Sequence, residues 1–264
     1  MAGHSQQTDI DDMSAAERRE ALKAVYAQAQ RCTRCAELAA TRKTVVFGSG
    51  NADADLMFVG EAPGASEDEQ GVPFVGQAGK LLEKLLGEIG LQRADVFIAN
   101  TLKCRPPGNR DPQPVELENC KGYLYSQVEL IQPTVICTLG NFATKLLRDD
   151  PTGITRLHGQ PQVLTLGRRA VRLYPIFHPA AALYTPRMLE TLRADFARLP
   201  ELLALGPPEQ PDWTEIPEID EIEHTRAAAT GGGRESDGGG TAGMGNAGAT
   251  GKPSKADAEQ MGLF

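Results

Sequence analysis

No stretch of this chain approaches the apolar length needed to cross a membrane, and its opening residues, M-A-G-H-S-Q-Q-T-D-I-D-D, lack the apolar centre of a secretory signal. A soluble, cytoplasmic protein without a membrane partner is expected. No internal repeat is present. Residues 231–251 hold 10 glycines in 21 positions and almost no large apolar side chain. Such a stretch cannot bury enough surface to offset the entropy of ordering it. From about Gly206 the chain turns rich in Pro, Glu and Gly. Three parts are therefore expected: a disordered N-terminus (1–13), one globular domain (14–205) and a disordered tail (206–264).

Net positive charge is lacking too, the total being −8. Taken alone, that disfavours nucleic acid as a partner, but the charge is unevenly spread. Residues 207–264 hold 11 acidic and 4 basic residues, a net of −7, whereas residues 13–206 hold 21 acidic and 23 basic, a net of +2. The body of the protein can still bind phosphate. Histidine is scarce, with four residues. His4 and His224 fall in the parts expected to be disordered and His158 in a loop. His178 is left at a strand end beside Pro179.

Cysteine is also scarce, but four of the five residues form the strongest local signal. Cys32 and Cys35 make C-x2-C, and Cys104 and Cys120 make C-x15-C. Two close and two remote cysteines converge only if the fold gathers distant segments, and a shared metal centre would reward that. In a reducing compartment clustered cysteines bind metal more often than they form disulfides. Each has a basic neighbour (Arg31, Arg34, Lys103, Arg105 or Lys121), and positive charge favours the thiolate that binds metal. Zinc and iron–sulfur centres both use such sets, and the spacing does not separate them. Cys137, inside the apolar run T-V-I-C-T-L, reads as a small core residue.

The periodicity predicts helices over 14–30 (opened by a Ser14/Glu17 capping box), 77–89, 115–131, 142–147 and 188–205. Apolar runs at 55–59, 96–99, 135–139 and 171–177 predict four strands. Strands alternating with helices imply a mainly parallel four-stranded sheet in a three-layer α/β/α sandwich. Three strands are followed by polar or special residues: Gly60-Glu-Ala-Pro-Gly64, Asn100, and His178-Pro179. Ligands bind at the carboxyl ends of strands in such sheets, so these segments can share one pocket. Glu67, Asp68 and Glu69 read locally as a solvated acidic loop. Phe74, between glycines and beside Pro73, reads as core or as a pocket wall. Asn100 carries both a donor and an acceptor suited to a base edge.

Together these segments resemble the family-four uracil-DNA glycosylases, the iron–sulfur type of bacteria and archaea. The resemblance runs from about Cys32 to Leu203. It rests on G-E-A-P-G-A-S-E-D-E-Q-G-V-P-F-V-G-Q-A-G, N-T-L-K-C-R-P-P-G-N-R-D-P, T-L-G and H-P-A-A. It implies a monofunctional glycosylase that removes uracil from DNA in base excision repair. It also implies a 4Fe–4S cluster on Cys32, Cys35, Cys104 and Cys120. By motif position Gly60, Glu61, Ala62, Pro63, Gly64 and Glu67 line the pocket, with Glu67 shaping it against thymine's methyl. Phe74 stacks on uracil, Asn100 bonds its polar edge, His178 contacts the O2 side, and Glu61 is catalytic or positions water. Arg105, Arg110, Lys121, Pro179, Leu183 and Tyr184 are the implied DNA contacts. The sequence departs from the pattern in two places. Ala62 stands where the better-known uracil glycosylases carry Asp, and Tyr184 follows Leu183 where relatives often carry Arg. A non-catalytic iron–sulfur or zinc nucleic-acid-binding module on the same fold is the alternative reading. The terminal Q-M-G-L-F looks like a sliding-clamp peptide, with Gln260 at a pocket edge and Met261, Leu263 and Phe264 in an apolar groove. A monomer is expected.

Overall fold

The computed structural model of the chain describes residues 10–183 and 185–211, all within one compact unit. Most of the two parts expected to be disordered falls outside these residues, as do Tyr184 and the clamp-peptide residues Gln260, Met261, Leu263 and Phe264.

In chain order the elements are α1 (Ala15–Gln30), α2 (Ala36–Thr41), β1 (Ser49–Gly50), β2 (Leu56–Gly60), α3 (Ala65–Gln70), α4 (Gln77–Glu88) and β3 (Phe97–Asn100). They continue with α5 (Pro114–Ile131), β4 (Val135–Leu139), α6 (Asn141–Arg148), α7 (Ile154–Leu157), β5 (Gln162–Leu166), β6 (Arg169–Ile176), α8 (Pro179–Ala182), α9 (Pro186–Ala197) and α10 (Leu199–Ala204). The sheet order is β1-β3-β2-β4-β6-β5. β3, β2, β4 and β6 run parallel, in the registers Gly60↔Asn100, Met57↔Ile136 and Leu139↔Ile176. These are the four strands the apolar runs predict. The two additions are antiparallel edges: β1 on β3, and β5 on β6 through a two-residue Gly167-Arg168 turn.

β2, β3 and β4 are buried at every position, and alternate residues serve opposite faces. Met57, Val59, Phe97, Ala99 and Ile136 join one core cluster with Leu22 of α1, and Leu124 and Val128 of α5. Leu56, Phe58, Ile98, Val135 and Cys137 join the other with Leu82 and Leu86 of α4, and Leu192 and Phe196 of α9. Phe58 stacks on Phe196 with ring centroids 5.8 Å apart. Each such buried Leu, Ile, Val, Met or Phe contributes roughly 1.5–3 kcal/mol. Two sheet faces covered by helices make the three layers. Cys137 is wholly buried, as expected.

The Ser14/Glu17 capping box is present: Ser14 N donates to Glu17 Oε2 at 2.8 Å, and Glu17 N donates to Ser14 Oγ at 3.3 Å. The closing helix expected over 188–205 is instead two helices. Pro200 has no N–H to continue α9 and sits in the first turn of α10.

Because the four central strands are parallel, their carboxyl ends share one edge of the sheet. Gly60, Asn100, Gly140 and Phe177-His178 emerge there side by side.

Candidate active site

A cleft of about 400 Å³ opens at that edge, lined by Glu61, Ala62, Pro63, Gly64, Glu67, Phe74, Asn100 and His178 among others. Gly60 lies beneath it. A Cβ on Gly60 would sit 2.6 Å from Phe74 Cζ and would collide with Asn100 Oδ1. Glycine there lets the ring and the amide close over the strand end. The chain beyond Asn100 keeps following β2: Thr101 N donates to Gly60 O (2.9 Å) and Leu102 N to Glu61 O (3.0 Å). Asn100 is 1% exposed, and its Oδ1 is buried without a hydrogen-bond partner. An unpaired buried acceptor costs about 1–3 kcal/mol, so the site holds an unmet demand for an N–H donor.

Phe74 adopts a left-handed backbone, with φ of 54°. A bulky residue holds such a conformation only when its surroundings over-determine it, and here two charged side chains do so. Glu67 Oε1 accepts from Val75 N (3.0 Å) and Gly76 N (2.9 Å). Arg93 donates to Pro73 O and, at 3.1 Å, to Phe74 O. The acidic stretch is therefore not a solvated loop. Glu67, Asp68 and Glu69 lie on α3, and buried Asp68 accepts from Lys43 N and Thr44 N at 2.9 and 3.3 Å. Glu69 pairs with Lys43. Nothing local in the sequence marks Arg93.

His178 caps α8, its Nδ1 accepting from Ala180 N at 3.1 Å. With that lone pair occupied, the neutral ring carries its proton on Nε2. Burial, opposed by Glu67, pulls the imidazole down to about 4. Its ring centroid is 5.6 Å from that of Phe74, with the planes 29° apart. Gly140, the glycine of T-L-G, has φ of 88° and packs beneath: a Cβ there would lie 3.2 Å from His178 Cβ. Burial, and next Asp111, push the Glu61 carboxyl above its usual range.

The expected DNA contacts differ in placement. Arg110 lines the cleft but is committed to Glu116 (2.6 and 3.0 Å) and Glu37 (2.6 Å). Its charge is balanced, and it acts as a wall. Arg105 is bonded to Asn109 at 2.7 Å. Lys121 pairs with Glu118. Pro179 is buried at the first position of α8 and fixes the helix start. Leu183, the C-cap of α8, is partly exposed.

Cys32, Cys35, Cys104 and Cys120 are free thiols lining a second, small and mainly apolar cavity. Among the described residues no group of three or more His, Cys, Asp or Glu is arranged to hold a metal ion. Each sulfur does receive an N–H: Arg34 to Cys32 (3.5 Å), Asn119 to Cys35 (3.6 Å), Arg42 to Cys104 (3.2 Å) and Lys103 N to Cys120 (3.3 Å). Only some of these donors are the sequence neighbours. Burial raises Cys104 and takes Cys120 up to about 11 despite nearby cations. At Cys32 burial is outweighed by Arg34 and Tyr123, and that thiol is lowered. The expectation that adjacent basic residues favour all four thiolates therefore fails for Cys104 and Cys120, where desolvation wins.

The family model described as the uracil DNA glycosylase superfamily matches residues 47–201. A type-4 uracil-DNA glycosylase of Archaeoglobus fulgidus is 44% identical over 187 residues, 69% of this chain and 94% of that protein. Those of Sulfurisphaera tokodaii (42% over 188 residues, 69% and 85%) and Thermotoga maritima (43% over 164 residues, 62% and 83%) are similar.

Proposed function

We propose, for a chain that belongs to the uracil-DNA glycosylase superfamily and to its type-4 branch, a specific division of labour within its cleft. The protein is a uracil-DNA glycosylase, a hydrolase of DNA repair. Its substrate bond, C1′–N1 of deoxyuridine, is hidden in a duplex, so the nucleotide must be flipped out at a cost of a few kcal/mol. Phe74 stacks on the extruded base. The orphaned Asn100 Oδ1 accepts from the ring N–H, which meets its unmatched hydrogen-bonding demand. Glu67 closes the side where thymine's methyl would lie.

As C1′–N1 breaks, its electron pair goes to uracil and leaves positive charge on the sugar. His178 Nε2–H donates to O2, where the negative charge collects. A preorganised donor of this kind contributes about 3–4 kcal/mol. The ring acts as a neutral donor, since protonating Nδ1 would break its bond to Ala180. Glu61 faces the developing cation. Its raised basicity suits it to take a proton from the water that adds to C1′, giving an abasic site and free uracil. With Ala62 in place of Asp, Glu61 is the carboxylate left at the head of the motif for this role.

The four N–H-bonded thiols around one cavity suit a 4Fe–4S cluster held by Cys32, Cys35, Cys104 and Cys120, with zinc the rival occupant. When bound, such a cluster supplies a covalent cross-link between the α1–α2 turn, the loop after β3 and α5. Pro106, Asn109 and Arg110 of that loop wall the cleft, so the cross-link braces the pocket. The partner of the whole is uracil-containing DNA. Gln260, Met261, Leu263 and Phe264 are assigned to a sliding clamp on their sequence alone, and a monomer in the cytoplasm is the working state.

The observation that carries the reading is the meeting of Phe74, the unpaired Asn100 Oδ1 and the Nε2–H of His178 over Gly60. The test is release of uracil from a synthetic duplex. Wild-type protein releases it, and His178→Ala slows release about 10²–10³-fold. No release by wild type, or full activity of the variant, overturns the assignment.

A further inference from the structure

Lys103 is 1% exposed, and an ammonium group in such a place is costly unless something compensates it. Among the described residues no carboxylate pairs with it; the ionisable groups acting on it are the thiols of Cys120 and Cys104. Its Nζ donates to the backbone carbonyl of Asn100 at 2.9 Å and to Gln127 Oε1 at 2.6 Å. The same nitrogen lies 5.7 Å from the centroid of the Phe47 ring. Gln127, wholly buried on α5, donates its Nε2 to Phe47 O at 2.9 Å. The backbone of Lys103 is tied as firmly: its N–H donates to Cys120 Sγ at 3.3 Å, and its carbonyl accepts from Val46 N at 2.8 Å.

A hydrogen-bonded path therefore runs from a cysteine sulfur through Lys103 to the residue that reads the base. Asn100 needs such support. Its Oδ1 has no protein partner, so packing and the backbone must aim the carboxamide. A methionine would fill the same volume but hold neither oxygen.

We propose that Lys103 is a positioning residue for uracil recognition: anchored by Gln127, its ammonium pins the Asn100 carbonyl and so couples the placement of the cysteine-bearing loop to the aim of the Asn100 carboxamide. The proposal rests on the uracil reading above. Its test measures the inhibition constant of free uracil, with kcat and KM, in wild type, Lys103→Met and Gln127→Met. Thermal midpoint and visible absorption are recorded alongside. In Lys103→Met uracil inhibition weakens tenfold or more and kcat falls, per folded molecule, while absorption near 400 nm per chain is retained. Gln127→Met shifts the same way by about threefold or more, and it decides the matter if Lys103→Met does not fold. Lowered thermal midpoints with uracil inhibition within twofold of wild type would make Lys103 a purely structural residue and overturn the proposal. If wild type neither releases nor binds uracil, the functional reading itself fails, which is a separate result.

Discussion

His178 carries the sharpest electrostatic consequence at the scale of single residues. A histidine whose folded-state pKa lies near 4, against an ordinary 6.5, refuses a proton that the unfolded chain accepts. Between those two values the unfolded state binds more protons, so this group makes stability rise with pH across that window and adds no slope above it. This ring becomes imidazolium only near pH 4, and the Glu61 base, whose carboxyl is raised above its usual range, is protonated first on acidification, so kcat/KM over pH 3.5–8 is expected to stay flat through 6.5 and to fall only in the carboxylate range. A limb at 6.5 with activity rising toward acid would mean that the imidazolium is the working form. Gly60 gives a steric prediction. Gly60→Ala forces its Cβ into Phe74 and Asn100, and uracil release should fall at least 100-fold, while the melting curve moves by a few degrees at most. The expected readout pairs single-turnover release with thermal unfolding. The motif made Gly60, Phe74, Asn100 and His178 legible. The tautomer of His178 and the orphaned oxygen of Asn100 were not, because both depend on which backbone group or void lies opposite.

At the scale of elements, the loop between α3 and α4 is held by opposite charges on its two sides. Glu67 takes the N–H groups of Val75 and Gly76, and Arg93 takes the carbonyls of Pro73 and Phe74. Arg93→Met removes one side. The strain at Phe74, about 1–3 kcal/mol for a left-handed bulky residue, is then free to relax. KM for a uracil oligonucleotide should rise several-fold more than kcat falls, with Arg93→Lys recovering part of the loss by reaching one carbonyl. Equal, small effects on both constants would show that the loop holds itself. His158 has an analogous supporting place behind β6: its Nδ1 is 3.1 Å from Asp195 Oδ2, and its ring is 4.5 Å from that of Phe177, beside His178. The capped and apolar-periodic helices were legible in the sequence. The short helices α2, α3, α7 and α8 were not, because one or two turns carry too few residues to show a period.

At the scale of the whole molecule, the four cysteines sit on three separate segments: the turn between α1 and α2, the loop leaving β3, and α5. With the proposed cluster bound, Cys120→Ser removes one of its four ligands and weakens the cross-link it would supply. A folding loss of about 2–5 kcal/mol is expected by analogy with deleting a native covalent tie, together with a fall in uracil release and in absorption near 400 nm. Unchanged stability and colour would show that the four thiols hold nothing. The body's slight positive surplus stands against the acidic flanks, so net charge alone does not mark a DNA-binding face. Arg110 illustrates the point, since Glu37 and Glu116 already consume its charge.

What the sequence determined by itself was the set of four buried strands, the long helices and the segments that follow the strands. Apolar runs, helical periods and capping residues are local properties, and long shared motifs carry their own chemistry. Tertiary structure alone decided the two edge strands. One is two residues long, and the other alternates between half-buried and exposed positions until Leu166, without a continuous apolar run. It also decided that Arg42 and Asn119, remote in sequence, bond two of the sulfurs, and that a lysine lies wholly inside. Hydrogen bonds and desolvation are set by whatever the parallel sheet brings across from distant segments, and no local spacing encodes those neighbours.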